Sequence, residues 1–160
     1  MYRPNRLKAM LLNGERAVGC WLDLASPAVT ELLALVGYDT LLIDMEHGPA
    51  DILSVTHQLQ AMSAAPGTSI VRAPSNDEVI IKRILDTGAE AVMIPSVNTA
   101  QEAKEAVAAC HYPPKGVRGA AYSLTRASNY GLEAAHYAET IASELLVICQ
   151  IESLQAVENI

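Results

Sequence analysis

Short apolar runs alternate with segments of helical periodicity along this chain, and the links between them are brief. That rhythm admits few folds. Residues 17–24 (AVGCWLDL) read as a first strand. Ser26-Pro27 then fits a helix N-cap with proline at the first helical position, and the helix runs to about Val36. Residues 38–46 form a second strand, and a helix over about 50–64 carries Ile52, Val55, Leu59 and Met62 at helical spacing. Residues 68–73 are a third strand, stopped by Pro74. Ser75 or Asn76 caps a third helix with Val79, Ile80, Ile84 and Leu85 on one face, and Gly88 ends it. Residues 90–97 are a fourth strand, and Thr99 caps a fourth helix to about Cys110. An irregular stretch over 111–132 holds Pro113-Pro114 and three glycines, and loops of such length inside compact domains are often functional. A helix over about 134–143 leads to a fifth strand, 145–151, after which Ser153 caps a last helix.

Repeated βα units with short connections imply a parallel sheet with right-handed crossovers. An open doubly wound sheet and a (β/α)8 barrel both satisfy this. The open sheet normally carries a glycine-rich first turn for a nucleotide. Here that turn is Ala25-Ser26-Pro27, and neither GxGxxG nor GxxxxGK[ST] occurs. The barrel is therefore favoured. A barrel takes roughly 250 residues. The expectation for these 160 residues is a single α/β domain, residues 1–160, the N-terminal portion of a TIM barrel truncated after about five strands.

Composition narrows the partners. Hydrophobic residues make up 51% and charged residues 18%, which excludes a disordered chain. A net charge of −7 argues against nucleic acid and anionic membranes as partners. No run approaches the ~18 apolar residues of a membrane span. Cys20, Cys110 and Cys149 are odd in number and widely spaced, which speaks against a disulfide framework and for a reducing, cytoplasmic setting.

Chemistry in parallel-sheet enzymes collects beyond the carboxyl ends of the strands. The second strand ends in Asp44-Met45-Glu46-His47-Gly48-Pro49. Asp44 can orient the imidazole of His47, making His47 a candidate general base or proton shuttle. The competing reading is a solvated strand end with a structural Asp. The third strand ends in Arg72, whose guanidinium suits a substrate carboxylate or enolate oxygen, or else an inter-strand ion pair with Glu46 or Glu152. After the fifth strand stand Gln150 and Glu152 on one face. A carboxylate there suits a hard divalent cation such as Mg²⁺ or Mn²⁺, or else merely caps the next helix. Schiff-base chemistry needs a lysine inside the barrel, and Lys8, Lys82, Lys104 and Lys115 all fall on helices, loops or the terminus. No GxSxG, HxH or HExxH pattern occurs.

Five segments in order, LLIDMEHGP (41–49), VRAPSND (71–77), IKRILDTGAEAVMIPSV (81–97), HYPPKGVRGAAYSLTRAS (111–128) and LVICQIES (146–153), resemble the HpcH/HpaI family of metal-dependent class II pyruvate aldolases. The 4-hydroxy-2-oxoheptanedioate aldolases look nearest within it. The resemblance implies a barrel of the phosphoenolpyruvate/pyruvate type that reversibly cleaves a 4-hydroxy-2-oxo acid to pyruvate and an aldehyde. His47 matches the catalytic histidine with Asp44 as its partner, and Arg72 the arginine that steadies the pyruvate enolate. Glu152 matches a metal-binding carboxylate, and Gln150 the glutamine beside it. It further implies a divalent cation (Mg²⁺ or Mn²⁺, with Co²⁺ or Zn²⁺ as alternatives) and a homo-oligomer, a hexamer in the family. Two departures stand out. Met45 replaces the usual glycine and is expected to crowd the turn. The family's second metal-binding Asp lies after strand six, so weak metal binding and impaired turnover are expected of this chain. A CoA-thioester lyase of the citramalyl- or malyl-CoA type is the first alternative, with Lys115, Arg118 and Arg126 as its basic cluster. A non-catalytic barrel fragment is the second.

Overall fold

The computed structural model describes residues 2–160. Five strands make one sheet: β1 (Gly19–Leu22), β2 (Thr40–Asp44), β3 (Thr68–Arg72), β4 (Ala91–Ile94) and β5 (Leu146–Cys149). All neighbouring pairs are parallel, and the spatial order is β1-β2-β3-β4-β5. A doubly wound sheet reverses its strand order at a switch point and carries helices on both faces. A sheet that advances one strand at a time in one direction has barrel topology. The strand order thus decides between the two architectures that periodicity left open.

The helices are α1 (Arg6–Leu12), α2 (Pro27–Val36), α3 (Ile52–Met62), α4 (Glu78–Asp86), α5 (Ala100–Cys110), α6 (Ala134–Glu144) and α7 (Leu154–Glu158), with a 3₁₀ turn at Arg126–Ser128. Alternation splits the strands between two faces. Leu41, Ile43, Val71, Val92 and Ile94 face the helices and are fully buried. Leu42, Ile70, Ala91, Met93, Leu146 and Ile148 form the other face, where Leu7 of α1 packs against them. No helix among the described residues is long and apolar enough to cross a membrane. The three cysteines are unpaired, with Cys110 buried and Cys20 and Cys149 half-buried.

Capping residues set most helix starts. The side chains of Ser26, Thr99 and Ser153 accept the amides of Val29, Glu102 and Ala156, as expected from sequence. The cap of α4 is Asp77, neither Ser75 nor Asn76: its Oδ1 accepts the Ile80 amide at 2.9 Å. Starting the helix there turns Val79 into solvent, 49% exposed, and puts Ile81 on the buried face with Ile84 and Leu85. Gly88 follows the helix at φ +91°, where a side chain would be strained. The strands are shorter than their apolar runs because flanking residues leave the ladder. Asp39 accepts the Val18 amide with its carboxylate, and Asp44 does the same for Glu46 and His47.

Helix α1 has no counterpart in the sequence reading. It lies across the amino ends of the strands. The side chain of Asn5 caps it and also donates to the Glu90 carbonyl at 2.7 Å. The Leu7 amide donates to Thr68 Oγ1 at 3.0 Å, and Lys8 Nζ donates to the Ser143 and Leu145 carbonyls at 2.7 and 2.9 Å. Arg3 joins the closure through Glu90, 2.6 Å away. Helix α1 and Arg3 thus cover part of the amino end of the sheet, and the ionisable strand ends lie at the opposite, carboxyl rim.

The stretch 111–132 is pinned rather than loose. Arg118 is 2% exposed, donates to Asp86 at 2.7 Å and lies 4.6 Å over the Tyr112 ring. Arg126 donates to the Thr87 and Leu59 carbonyls and to Ser63 Oγ.

Candidate active site

Asp44 closes β2 and is 2% exposed. Its Oδ1 accepts from the amides of Glu46 (2.9 Å) and His47 (3.4 Å) and from Arg72 Nε at 2.8 Å, while Oδ2 accepts from Arg72 Nη2 at 2.6 Å. The first pair of bonds folds the chain back on itself in an Asx-type turn. Gly48 completes that turn, since a Cβ there would meet the Asp44 carbonyl oxygen at 2.5 Å. Met45 does not crowd it: its φ is not positive, its amide donates to the Arg72 carbonyl at 3.1 Å, and its side chain packs against the helix-side core.

Burial pushes the Asp44 carboxyl up, but the hydrogen bonds from Arg72 and from the two amides outweigh it and hold it below the ordinary range. The bidentate bond to Asp44 holds the Arg72 guanidinium above its ordinary value against the opposing effect of burial. The negative charges of Glu46 and Glu152 act in the same direction. Arg72 Nη1 sits 2.8 Å from Glu46 Oε2 but off the hydrogen-bonding direction, so the contact is ionic and Oε2 keeps an unfilled acceptor site. On its other side the guanidinium lies 4.6 Å from the Trp21 ring centre, in a cation–π arrangement.

The pairing expected between Asp44 and the His47 imidazole is not what the structure contains. Arg72 and two amides occupy the Asp44 carboxylate. The imidazole is 75% exposed, and its Nε2 lies 3.9 Å from Glu46 Oε1. Asp44 is thus the anchor of Arg72, and Glu46 is the carboxylate nearest His47. Of the ion pairs offered as the alternative role of Arg72, the one to Glu46 is present and the one to Glu152 is absent among the described residues, while the strongest pair, to Asp44, was not expected from sequence.

Gln150 follows β5, and strand alternation carries its side chain to the face of Leu146 and Ile148; its Oε1 is buried without a partner. Glu152 Oε1 accepts from the amide of Ser96 at 2.7 Å and from its hydroxyl at 3.1 Å. An orphaned amide oxygen and a carboxylate are oxygen donors of the kind a hard cation takes, so this chemistry fits Mg²⁺ or Mn²⁺. Among the described residues no group of three or more His, Cys, Asp or Glu side chains could hold a cation by itself.

The four lysines lie on α1, α4, α5 and the 111–132 stretch, none on a strand. The basic cluster of the CoA reading does not form a phosphate-binding surface. Arg118 is buried against Asp86, and the Arg126 guanidinium, pushed down by burial, is taken up by carbonyls. Trp21 and Ser96 escaped the sequence reading. Trp21 sits inside the expected first strand, but only the register that pairs it with Leu42, two residues before Asp44 on the same face, brings it to Arg72. Ser96 had no signal beyond its place after Pro95 at a strand end.

The HpcH/HpaI aldolase/citrate lyase family model matches residues 17–160. The chain is 44% identical over 155 residues to a hydroxypyruvate/pyruvate aldolase of Paraburkholderia phytofirmans, covering 97% of this chain and 58% of that protein. It is 42% identical over 157 residues to a 5-keto-4-deoxy-D-glucarate aldolase of Escherichia coli, covering 98% and 60%. A solved HpcH/HpaI family protein of Burkholderia cenocepacia superposes with a TM-score of 0.91 at 38% identity, covering 97% of this chain and 62% of that one. The chain spans about three fifths of the length of these relatives. On this match the chain belongs to the HpcH/HpaI aldolase/citrate lyase family.

Proposed function

We propose that this chain carries the catalytic rim of a metal-dependent pyruvate aldolase, a carbon–carbon lyase that splits a 4-hydroxy-2-oxo acid into pyruvate and an aldehyde. The observation that carries the reading is Arg72. It is gripped by Asp44 through two hydrogen bonds, backed by Trp21, and set at the rim beside Glu46. Relatives named as a pyruvate aldolase and as a keto-deoxy-sugar-acid aldolase support it.

In this reading Glu152, with Gln150 beside it, holds a divalent cation. When bound, the cation polarises the 2-oxo group as a Lewis acid. The remaining work falls to the chain's own residues. His47 accepts the proton of the C4 hydroxyl as the C3–C4 bond breaks and the aldehyde leaves. The electron pair passes to C3 and into the 2-oxo oxygen, giving the enolate. Arg72 donates hydrogen bonds to that oxygen, where charge develops. Asp44 keeps the guanidinium aimed and restrains its motion. Return of that proton from His47, directly or through water, to C3 completes pyruvate and restores the imidazole. Assembly into a homo-oligomer, tested by light scattering after size exclusion, is part of the same proposal.

The test is exchange of pyruvate methyl protons in D₂O with Mg²⁺, read by NMR, which isolates the enolate step from the identity of the aldehyde. Exchange is expected for the wild-type chain and is expected to fall by about 10²-fold or more in Arg72→Ala. Equal exchange rates in wild type, Arg72→Ala and Glu152→Gln would reject the assignment.

A further inference from the structure

We infer that Ser96 is a positioning residue for the cation-binding carboxylate of Glu152. The inference rests on the proposed cation role of Glu152 and extends it to the strand next door. Ser96 lies just past β4, in Ile94-Pro95-Ser96-Val97, and takes φ +54°. That left-handed conformation is unusual for a residue with a side chain, and such strain collects at functional sites. The backbone twist turns the Ser96 amide and hydroxyl toward one atom. Both donate to Glu152 Oε1, at 2.7 and 3.1 Å.

Oε2 accepts no hydrogen bond from the described residues and stays available for a ligand. A carboxylate with one oxygen doubly hydrogen-bonded and the other open suits coordination through the open oxygen. Hydrogen-bond partners of that kind orient metal ligands and sustain affinity.

The surrounding turn is stiff enough to serve. Asn98 Nδ2 donates to the Ser96 carbonyl at 2.9 Å, and the Val97 amide donates to the Gln150 carbonyl at 3.3 Å. Ser153 Oγ donates to Asn98 Oδ1, and Asn159 Nδ2 donates to the Asn98 carbonyl at 2.8 Å. The ends of β4 and β5 are thereby clasped across the positions of Gln150 and Glu152. The competing role for Ser96 is purely structural, the closing of this clasp.

Mn²⁺ titration of the 160-residue chain, read by electron paramagnetic resonance of the free ion, separates the two. Ser96→Ala removes the hydroxyl and keeps the strain. Ser96→Gly removes the hydroxyl and relieves the strain. The Mn²⁺ Kd is expected to rise about 10-fold in both. The thermal midpoint of Ser96→Gly is expected to stay at or above that of the wild type, a split that a structural role would not produce. Added to Glu152→Gln, Ser96→Ala is expected to cause no further loss. Wild-type affinity in both Ser96 variants, with affinity lost in Glu152→Gln, overturns the positioning role and leaves the cation reading intact. An equal further loss in the double variant also overturns it. Equal binding by wild type and Glu152→Gln, or no binding by the wild type, overturns the cation reading and the inference together.

Discussion

At the scale of single residues, Asp44 organises the rim. One carboxylate forms the turn that carries His47 and also grips Arg72. Its pKa is depressed in the folded state, so its contribution to stability is present above the ordinary carboxylate range and is lost as pH falls through the lowered value. Asp44→Asn is expected to cost about 2 kcal/mol at neutral pH, below the range for deeply buried pairs because the pair lies just under an open rim. Urea unfolding from pH 7 to pH 2 checks this: the curves of the wild type and of the Asp44→Asn variant should converge at the acid end. Trp21 offers a second check. It is the chain's one tryptophan and faces Arg72 at 4.6 Å. Oxalate with Mg²⁺, as a planar mimic of the enolate, is expected to change its fluorescence in the wild type and to leave Arg72→Ala unaffected.

Among the elements, the two least alike in legibility are α5 and α1. Thr99 followed by Glu102 is a capping box, and both of its reciprocal bonds are present, so α5 falls at its expected bounds. Helix α1 has seven residues, no acidic first turn and one buried side chain, too little for periodicity to register. Its stability comes from what it touches. Leu7, 4% exposed beneath Leu42, Ile70 and Ala91, anchors it. Leu7→Ala is expected to cost about 3 kcal/mol by chemical denaturation and to speed hydrogen exchange at Thr68 and Glu90. The cap of α4 makes a smaller claim. Asp77→Ala is expected to cost about 1 kcal/mol, whereas Asn76→Ala, at a position that does not cap, should cost less.

For the molecule as a whole, the site exists because parallel strands deliver their carboxyl ends to one edge. Asp44 and Arg72 are register partners in adjacent strands, and that pairing alone brings a carboxylate and a guanidinium 28 residues apart into contact. Glu152 reaches the same rim from β5 and is held there by a residue at the end of β4. The two outer strands each pair on one side only, and β5 is only half-buried along its length. The apolar face opposite the helices is covered among the described residues mainly by Leu7 and its neighbours. A hydrophobic dye such as ANS is expected to bind this chain in its folded state, with Leu146 and Ile148 as the first residues to shift in NMR spectra.

The sequence alone determined the βα order, most caps and the three strand ends that carry ionisable groups, because each is written in local periodicity and turn chemistry. It also held the family resemblance, through motifs that keep their residues in order. Tertiary structure decided the rest. Strand order separated barrel from open sheet, because hydrogen bonding between strands leaves no trace in period-2 alternation. Three dimensions also transferred Asp44 from the imidazole to the guanidinium, since Arg72 across the ladder competes more strongly for a carboxylate than a neighbouring side chain in a solvent-facing turn. The bond from Ser96 to Glu152 spans 56 residues and depends on a backbone twist at one position, which no local pattern records.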